Sequence, residues 1–191
     1  MWRWPAPVRM LASAAVGGGL IDASSIVNIG VTHSYRRTDL DAHAQDAHDA
    51  MGIERVGPTL FTAADVTLGV VAIDEAVRCD ATVGITRPTW AADVDDAVGA
   101  WAPGTVNVVV QLPVCLTDAA MVNAVITATE AKAQAFGDAA IPGTGTASDA
   151  VVIVVDPTGP SEPFGGPRAT WGARIARAVH EAVVEGIRRH P

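Results

Sequence analysis

The run of residues 116–136, L-T-D-A-A-M-V-N-A-V-I-T-A-T-E-A-K-A-Q-A-F, constrains the fold more than any other stretch. Thr117 or Asp118 can accept from the orphan N–H groups of a first helical turn, and nothing over 119–136 is Gly or Pro. The pattern predicts a helix of about five turns. At roughly 100° per residue, Val122, Val125, Ile126, Thr129, Ala133 and Phe136 form an apolar stripe, with Asn123, Thr127, Glu130 and Gln134 on a polar stripe beside it. Lys132 falls on the opposite flank of the apolar stripe from Glu130.

Composition sharpens the reading of that lysine. Of 13 Lys plus Arg residues, 12 are Arg and only Lys132 is lysine. A chain rich in Ala, Gly, Val and Arg replaces lysine wherever a solvated positive charge suffices. The survivor is expected to need an amine, a compact point donor whose pKa can shift, which arginine cannot replace.

A chain of 191 residues, 49% hydrophobic and 18% charged, can bury one sizeable core, so a single domain over residues 1–191 is expected. The net charge of −8 argues against a nucleic-acid partner, which would require a cationic face. Cys79 and Cys115 lack C-x-x-C spacing and read as buried free thiols. The opening residues, with Arg3 and Arg9 ahead of M-L-A-S-A-A-V, imitate a signal peptide, but Gly17-Gly18-Gly19 breaks the apolar run. No stretch approaches the ~20 apolar residues of a membrane helix. A reducing, cytoplasmic compartment is the consistent expectation, with no membrane partner.

Along the chain, residues 8–16 read as a strand entering the Gly17–Gly19 turn, and 25–32 as a second strand carrying Asn28. Tyr35, the only tyrosine, precedes Arg36 and Arg37; a polar helix is expected over 39–51, stopped by Gly52. Its His43 and His48 are five apart, off a common helical face, which disfavours a metal site. Residues 59–64 form a short buried piece, 70–77 and 81–86 a hairpin turning at Arg78-Cys79-Asp80, and 93–101 a short acidic helix or loop. The clearest strand covers 105–111, another 150–155, and an amphipathic helix closes the chain over 173–189. This order predicts an α/β fold, a mixed β-sheet packed by helices, with an α+β arrangement of stacked sheets between helix layers as the alternative.

No G-x-S-x-G, H-E-x-x-H or Cys/His nucleophile pattern is present. What remains is an inventory of Thr, Glu, Lys, Asn and Asp. Such a set can hydrolyse an amide, with a carboxylate as general base toward water or a Thr hydroxyl, and an ammonium and amides for the oxyanion and leaving amine. Glu130, the only carboxylate inside the long helix, is the candidate base, with Thr127, Lys132 and Asp149 completing the catalytic set.

Five stretches together resemble a known family. These are A-V-G-G-G-L (15–20), V-N-I-G-V (27–31), G-T-V-N (104–107), T-A-T-E-A-K-A (127–133) and G-T-G-T-A-S-D (143–149). In order and spacing they resemble the adenosylcobinamide amidohydrolases, the CbiZ type, from about Val8 to the final helix. The resemblance implies hydrolysis of the amide joining the corrinoid acid to its aminopropanol arm, giving adenosylcobyric acid in cobamide salvage. It implies a corrinoid as substrate; no cofactor and no metal ligands are expected from the residues, and metal dependence stays open. Arg87-Pro88-Thr89-Trp90 departs from the family's pattern and bears on corrinoid preference rather than fold.

A corrinoid is broad and largely apolar, rimmed with amides, so its site should be a wide cleft with glycine-lined walls and a few polar groups. Gly17, Gly18, Gly19, Asn28, Asn107, Asn123, Gly143, Thr144, Gly145 and Thr146 are the expected substrate-binding residues. Backbone N–H groups freed by Gly143 and Gly145 would reach the oxyanion, and the loop over 143–149 would wall the cleft against the long helix. Two alternatives stay open, a corrinoid binder without catalysis and a Thr-dependent amidase or acyltransferase. Homo-oligomer formation is also left open.

Overall fold

The computed structural model describes residues 1–94 and 104–189. The acidic stretch expected over 93–101 therefore lies, from residue 95 on, outside the described residues.

Among the described residues, nine strands and three α-helices follow in the order β1 (Trp2–Ala12), β2 (Gly19–Gly30), α1 (Leu40–Ala50), β3 (Thr59–Thr62), β4 (Val70–Asp74), β5 (Val77–Gly84), β6 (Thr105–Leu112), β7 (Cys115–Leu116), α2 (Asp118–Asp138), β8 (Ala150–Val155), β9 (Ser161–Glu162) and α3 (Thr170–Arg189). A seven-stranded sheet runs β3-β2-β1-β8-β6-β5-β4, and β7 pairs with β9 beside it. The β6 and β8 strands are parallel, as are β2 and β3, while the other pairs of the large sheet are antiparallel. The fold is thus α/β on a mixed sheet, as the order of elements predicts.

Alternation along the central strands sorts two cores. Val106, Val108 and Val110 of β6, Val151, Ile153 and Val155 of β8, and Val77, Cys79 and Val83 of β5 meet α2 and α3. Val109, Val152 and Val154 point the other way, where Met10, Ile26 and Leu60 from β1, β2 and β3 cover them. The β1–β3 end of the sheet therefore curls across the face that the helices leave bare, and it brings β3 beside β6.

Several expected boundaries move. The first strand begins at Trp2 and ends at Ala12 rather than covering 8–16, and its ladder with β2 slips between Arg3 and Val8, where Pro5 and Pro7 lack donors. The second spans Gly19–Gly30 rather than 25–32. The hairpin turns at Glu75, whose φ is 54°, and not at Arg78-Cys79-Asp80, which sit inside β5. There Arg78 and Asp80, two apart on one strand face, form a bidentate pair at 2.7 Å, so a charged cluster that reads as a turn is strand surface. Cys79 is buried, and burial pushes its thiol up, but Cys115 is only half-buried; both are free.

The α2 helix is capped by Thr117, whose hydroxyl accepts from the Ala120 N–H at 3.3 Å. Its buried face is not the Val/Ile stripe. Val122 and Ile126 are 54% and 50% exposed, whereas Ala120, Met121, Ala124, Ala128, Ala131 and Ala135 are buried with Phe136. A row of alanines lets the helix approach the sheet, α3 and the chain at Gly165, which lies against the Ala120 and Ala124 backbone.

Candidate active site

A cleft of about 560 Å³ opens where β6 and β8 begin and β3 ends. Its floor carries Thr105 and Asn107 from β6 and Asp149 and Ala150 at the start of β8. Ser13 and Ala14, just after β1, form one side, and β3 with Tyr35, Arg36 and Arg37 of the loop before α1 the other. The lining is chiefly apolar, with a few fixed polar groups, the pattern of a small-molecule site.

Asp149 is the most tightly held group on that floor. One carboxylate oxygen takes the Lys132 ammonium and the Thr146 N–H at 3.0 Å, and the other takes the Val106 N–H at 2.8 Å. The Thr146 hydroxyl sits 2.6 Å from both Asp149 Oδ1 and the Gly104 carbonyl. Lys132 is buried with it, its Nζ also 5.9 Å from the Phe136 ring. One ion pair thus ties the C-terminal half of α2 to the loop over 143–149 and to the first turn of β6.

Asn107, 2% exposed, donates through Nδ2 to Asn28 Oδ1 at 2.9 Å and to the Phe61 carbonyl at 3.2 Å. Asn28 in turn donates to the Thr82 hydroxyl at 3.0 Å. The chain of amides stitches β6 to β2, β3 and β5 beneath the cleft, and Asn107 Oδ1 remains buried without a partner. Asn123 is elsewhere, exposed on α2 beside Gly166.

The other expected residues divide in the same way. Glu130 is exposed and does not line the cleft. Thr127 is buried, donating to the Gly165 carbonyl at 2.9 Å, so the stripe that joins it to Glu130 in sequence does not form one site. Gly17, Gly18 and Gly19 sit beside the cleft rather than in its lining; Gly17 and Gly18 press on the backbone of Gly57 and Ala14. Thr144 and Gly145 are taken up in pairing with the 87–91 segment, and Gly143, whose N–H donates to the Ile141 carbonyl at 2.9 Å, packs against Thr89. The Thr144 N–H donates to the Thr89 carbonyl at 2.8 Å, the Thr89 N–H to the Gly145 carbonyl at 2.8 Å, and the Ala91 N–H to the Thr144 hydroxyl at 3.0 Å. The cleft wall from this loop is Ser148 and Asp149 instead, with the Ser148 hydroxyl 2.9 Å from that of Thr105.

The loop over 31–39 supplies residues that the motifs miss. Arg37 holds Asp39 through two bonds of 2.9 and 2.7 Å, which brings the Asp39 carboxyl down to about 2 and leaves α1 without a side-chain cap. Tyr35 lies against Phe61 and His43, and its hydroxyl is 2.7 Å from His43 Nδ1. The signal was present in the sequence as a solitary tyrosine beside two arginines, but only the curl of β3 over β6 shows that this loop faces the cleft.

Fold and site together define an α/β protein with a roomy, mainly apolar cleft for a bulky small molecule, floored by fixed amides and a buried ion pair. The chain belongs to the adenosylcobinamide amidohydrolase family, whose model matches residues 1–191. It is 32% identical over 187 residues to an adenosylcobinamide amidohydrolase of Halobacterium salinarum, covering 93% of this chain and 80% of that one. It is 26% identical over 184 residues to an adenosylcobinamide amidohydrolase of Methanosarcina mazei, covering 92% and 88% respectively. No solved structure matches it.

Proposed function

We propose that the chain hydrolyses the amide between the corrinoid acid and the aminopropanol arm of adenosylcobinamide, releasing adenosylcobyric acid for cobamide salvage. The observation that carries this is the family match along the whole chain. The cleft supports it, being large and apolar enough to take one edge of a corrinoid while presenting amide and hydroxyl groups to its carboxamide rim. In this reading Asp149 and Asn107 shape the floor, and Lys132 holds the Asp149 carboxylate in place. The corrinoid enters as substrate rather than as a resident cofactor. Among the described residues no helix is long and apolar enough to cross a membrane, and the two cysteines are free, which supports a cytoplasmic place of action.

The test is incubation of the purified protein with adenosylcobinamide and assay for free aminopropanol. Release at a rate proportional to enzyme is expected. Corrinoid binding without release would make the protein a corrinoid carrier, and turnover of small amides alone would make it a general amidase.

A further inference from the structure

Amide hydrolysis requires a group that takes a proton from the attacking water and returns one to the departing nitrogen. Among the described residues, the ionisable side chains lining the cleft are Tyr35, Arg36, Arg37 and Asp149. Guanidinium groups do not give up protons at working pH. Asp149 is occupied by the Lys132 ammonium and by the N–H groups of Thr146 and Val106. A carboxylate with its lone pairs so engaged is a poor base toward water.

Tyr35 is different. Its hydroxyl is 2.7 Å from His43 Nδ1, and its ring stacks on Phe61 with centroids 6.2 Å apart and planes at 24°. The His43 ring closes the cluster, 5.4 Å from Phe61. Phe61 is itself fixed, since β3 pairs with β2 at Ile29 and the Phe61 carbonyl accepts from Asn107. A tyrosine on a loop is thereby held by a strand and a helix at the edge of the cleft. Burial pushes its phenol up, opposed by the nearby Arg37 charge, so the group stays protonated and able to donate.

We propose that Tyr35 is the acid–base catalyst of this cleft, with His43 as the residue that holds and returns its proton. The assignment rests on the amidohydrolase reading above. With the imidazole proton on Nε2, His43 Nδ1 accepts and the phenol donates. As water attacks the carbonyl carbon, Tyr35 Oη takes a proton from that water while its own passes to His43 Nδ1, leaving a tetrahedral oxyanion and an imidazolium. When the C–N bond breaks, Tyr35 gives a proton to the leaving nitrogen and His43 returns one to Tyr35. The oxyanion collapses to a carboxylic acid, the amine departs neutral, and the enzyme regains its starting state. No oxidant or further reactant is needed.

Two variants test it, each assayed beside the parent for aminopropanol release, corrinoid binding and thermal midpoint. Tyr35→Phe keeps the stack on Phe61 and removes only the hydroxyl, so kcat should fall about a hundredfold or more while KM stays within about threefold. His43→Asn places a carbonyl oxygen near the Nδ1 position, able to accept the phenol's hydrogen bond but not its proton, and should lower kcat at least about tenfold at unchanged KM. If either variant fails to fold, the other decides. Tyr35→Phe turning over within about threefold of the parent, or a loss confined to KM, overturns the assignment, as does a His43→Asn enzyme with parental kcat. A parent that releases no aminopropanol overturns the functional reading and this assignment with it.

Discussion

Gly145 packs directly on the Lys132 ammonium, and a Cβ built at residue 145 would fall inside contact distance of both that ammonium and the Asp149 carboxylate. The sequence suggests a loop glycine that frees N–H groups for an oxyanion, so that adding a side chain would hurt function more than stability. The structure gives the opposite expectation. Gly145→Ala must push Lys132 or Asp149 out of register, and disturbing a buried ion pair costs about 3 kcal/mol. A melt should therefore show a midpoint lower by about 6–12 °C in a domain of this size, with lost activity following lost fold.

The same contact explains why a lysine stands at residue 132 in a chain that otherwise uses arginine. A guanidinium is wider than an ammonium and would meet Gly145 and Asp149 where no free volume exists. Lys132→Arg should be nearly as destabilising as Lys132→Ala, each by about 3 kcal/mol or more in denaturant titration. In a double-mutant cycle with Asp149→Asn, the losses should be clearly less than additive. Arginine restoring parental stability would show that charge alone suffices.

What the sequence makes legible follows from what each pattern depends on. The long helix, its Thr117 cap and the strands on either side of it are local matters of capping, missing breakers and apolar runs, and all stand in the structure. Composition also singles out Lys132, which the structure places in a buried contact with Asp149. Which face of the helix is buried is not legible, since Val122 and Ile126 outrank alanine in hydropathy although the buried face is built mostly from alanines, with Met121 and Phe136 near its ends. Nor is the cleft legible as a whole. Its Tyr35 side and its Asn107 floor come from segments some seventy residues apart, and they meet only because β1–β3 folds across the sheet.

That inverted helix face bears directly on Glu130. Because the alanine row turns inward, Glu130 is left exposed, away from the cleft lining. Glu130→Gln should keep kcat and KM for aminopropanol release within about twofold of the parent, where loss of a positioned acid–base group would cost about 10²–10⁴. A drop of that larger size in the folded variant would return the helix carboxylate to the reaction.

His48 provides a pH-dependent test of the layer that carries Tyr35 and His43. It is fully buried on the inner face of α1, 3.0 Å from the Thr59 hydroxyl. That hydroxyl donates to the Gly57 carbonyl at 3.1 Å and so accepts from His48 Nε2–H, which leaves Nδ1 buried without a partner. Burial holds the imidazole below its ordinary 6.5, only partly offset by Asp49. The unfolded chain therefore binds a proton near pH 6.5 that the folded chain refuses, and protonation favours unfolding. This contribution to stability is complete above the unfolded value and is lost as pH falls below it. The carboxylates held down by partners, such as Asp74 beside Arg177, act only as pH falls toward and below their ordinary 3.8. Between about pH 7.5 and about pH 5.5, the urea midpoint of the parent should fall. His48→Gln can still donate to Thr59 but has no proton to gain, so it should flatten that slope even if it lowers the midpoint at both pH values. An unchanged slope would mean that the buried imidazole is not what senses pH in this layer.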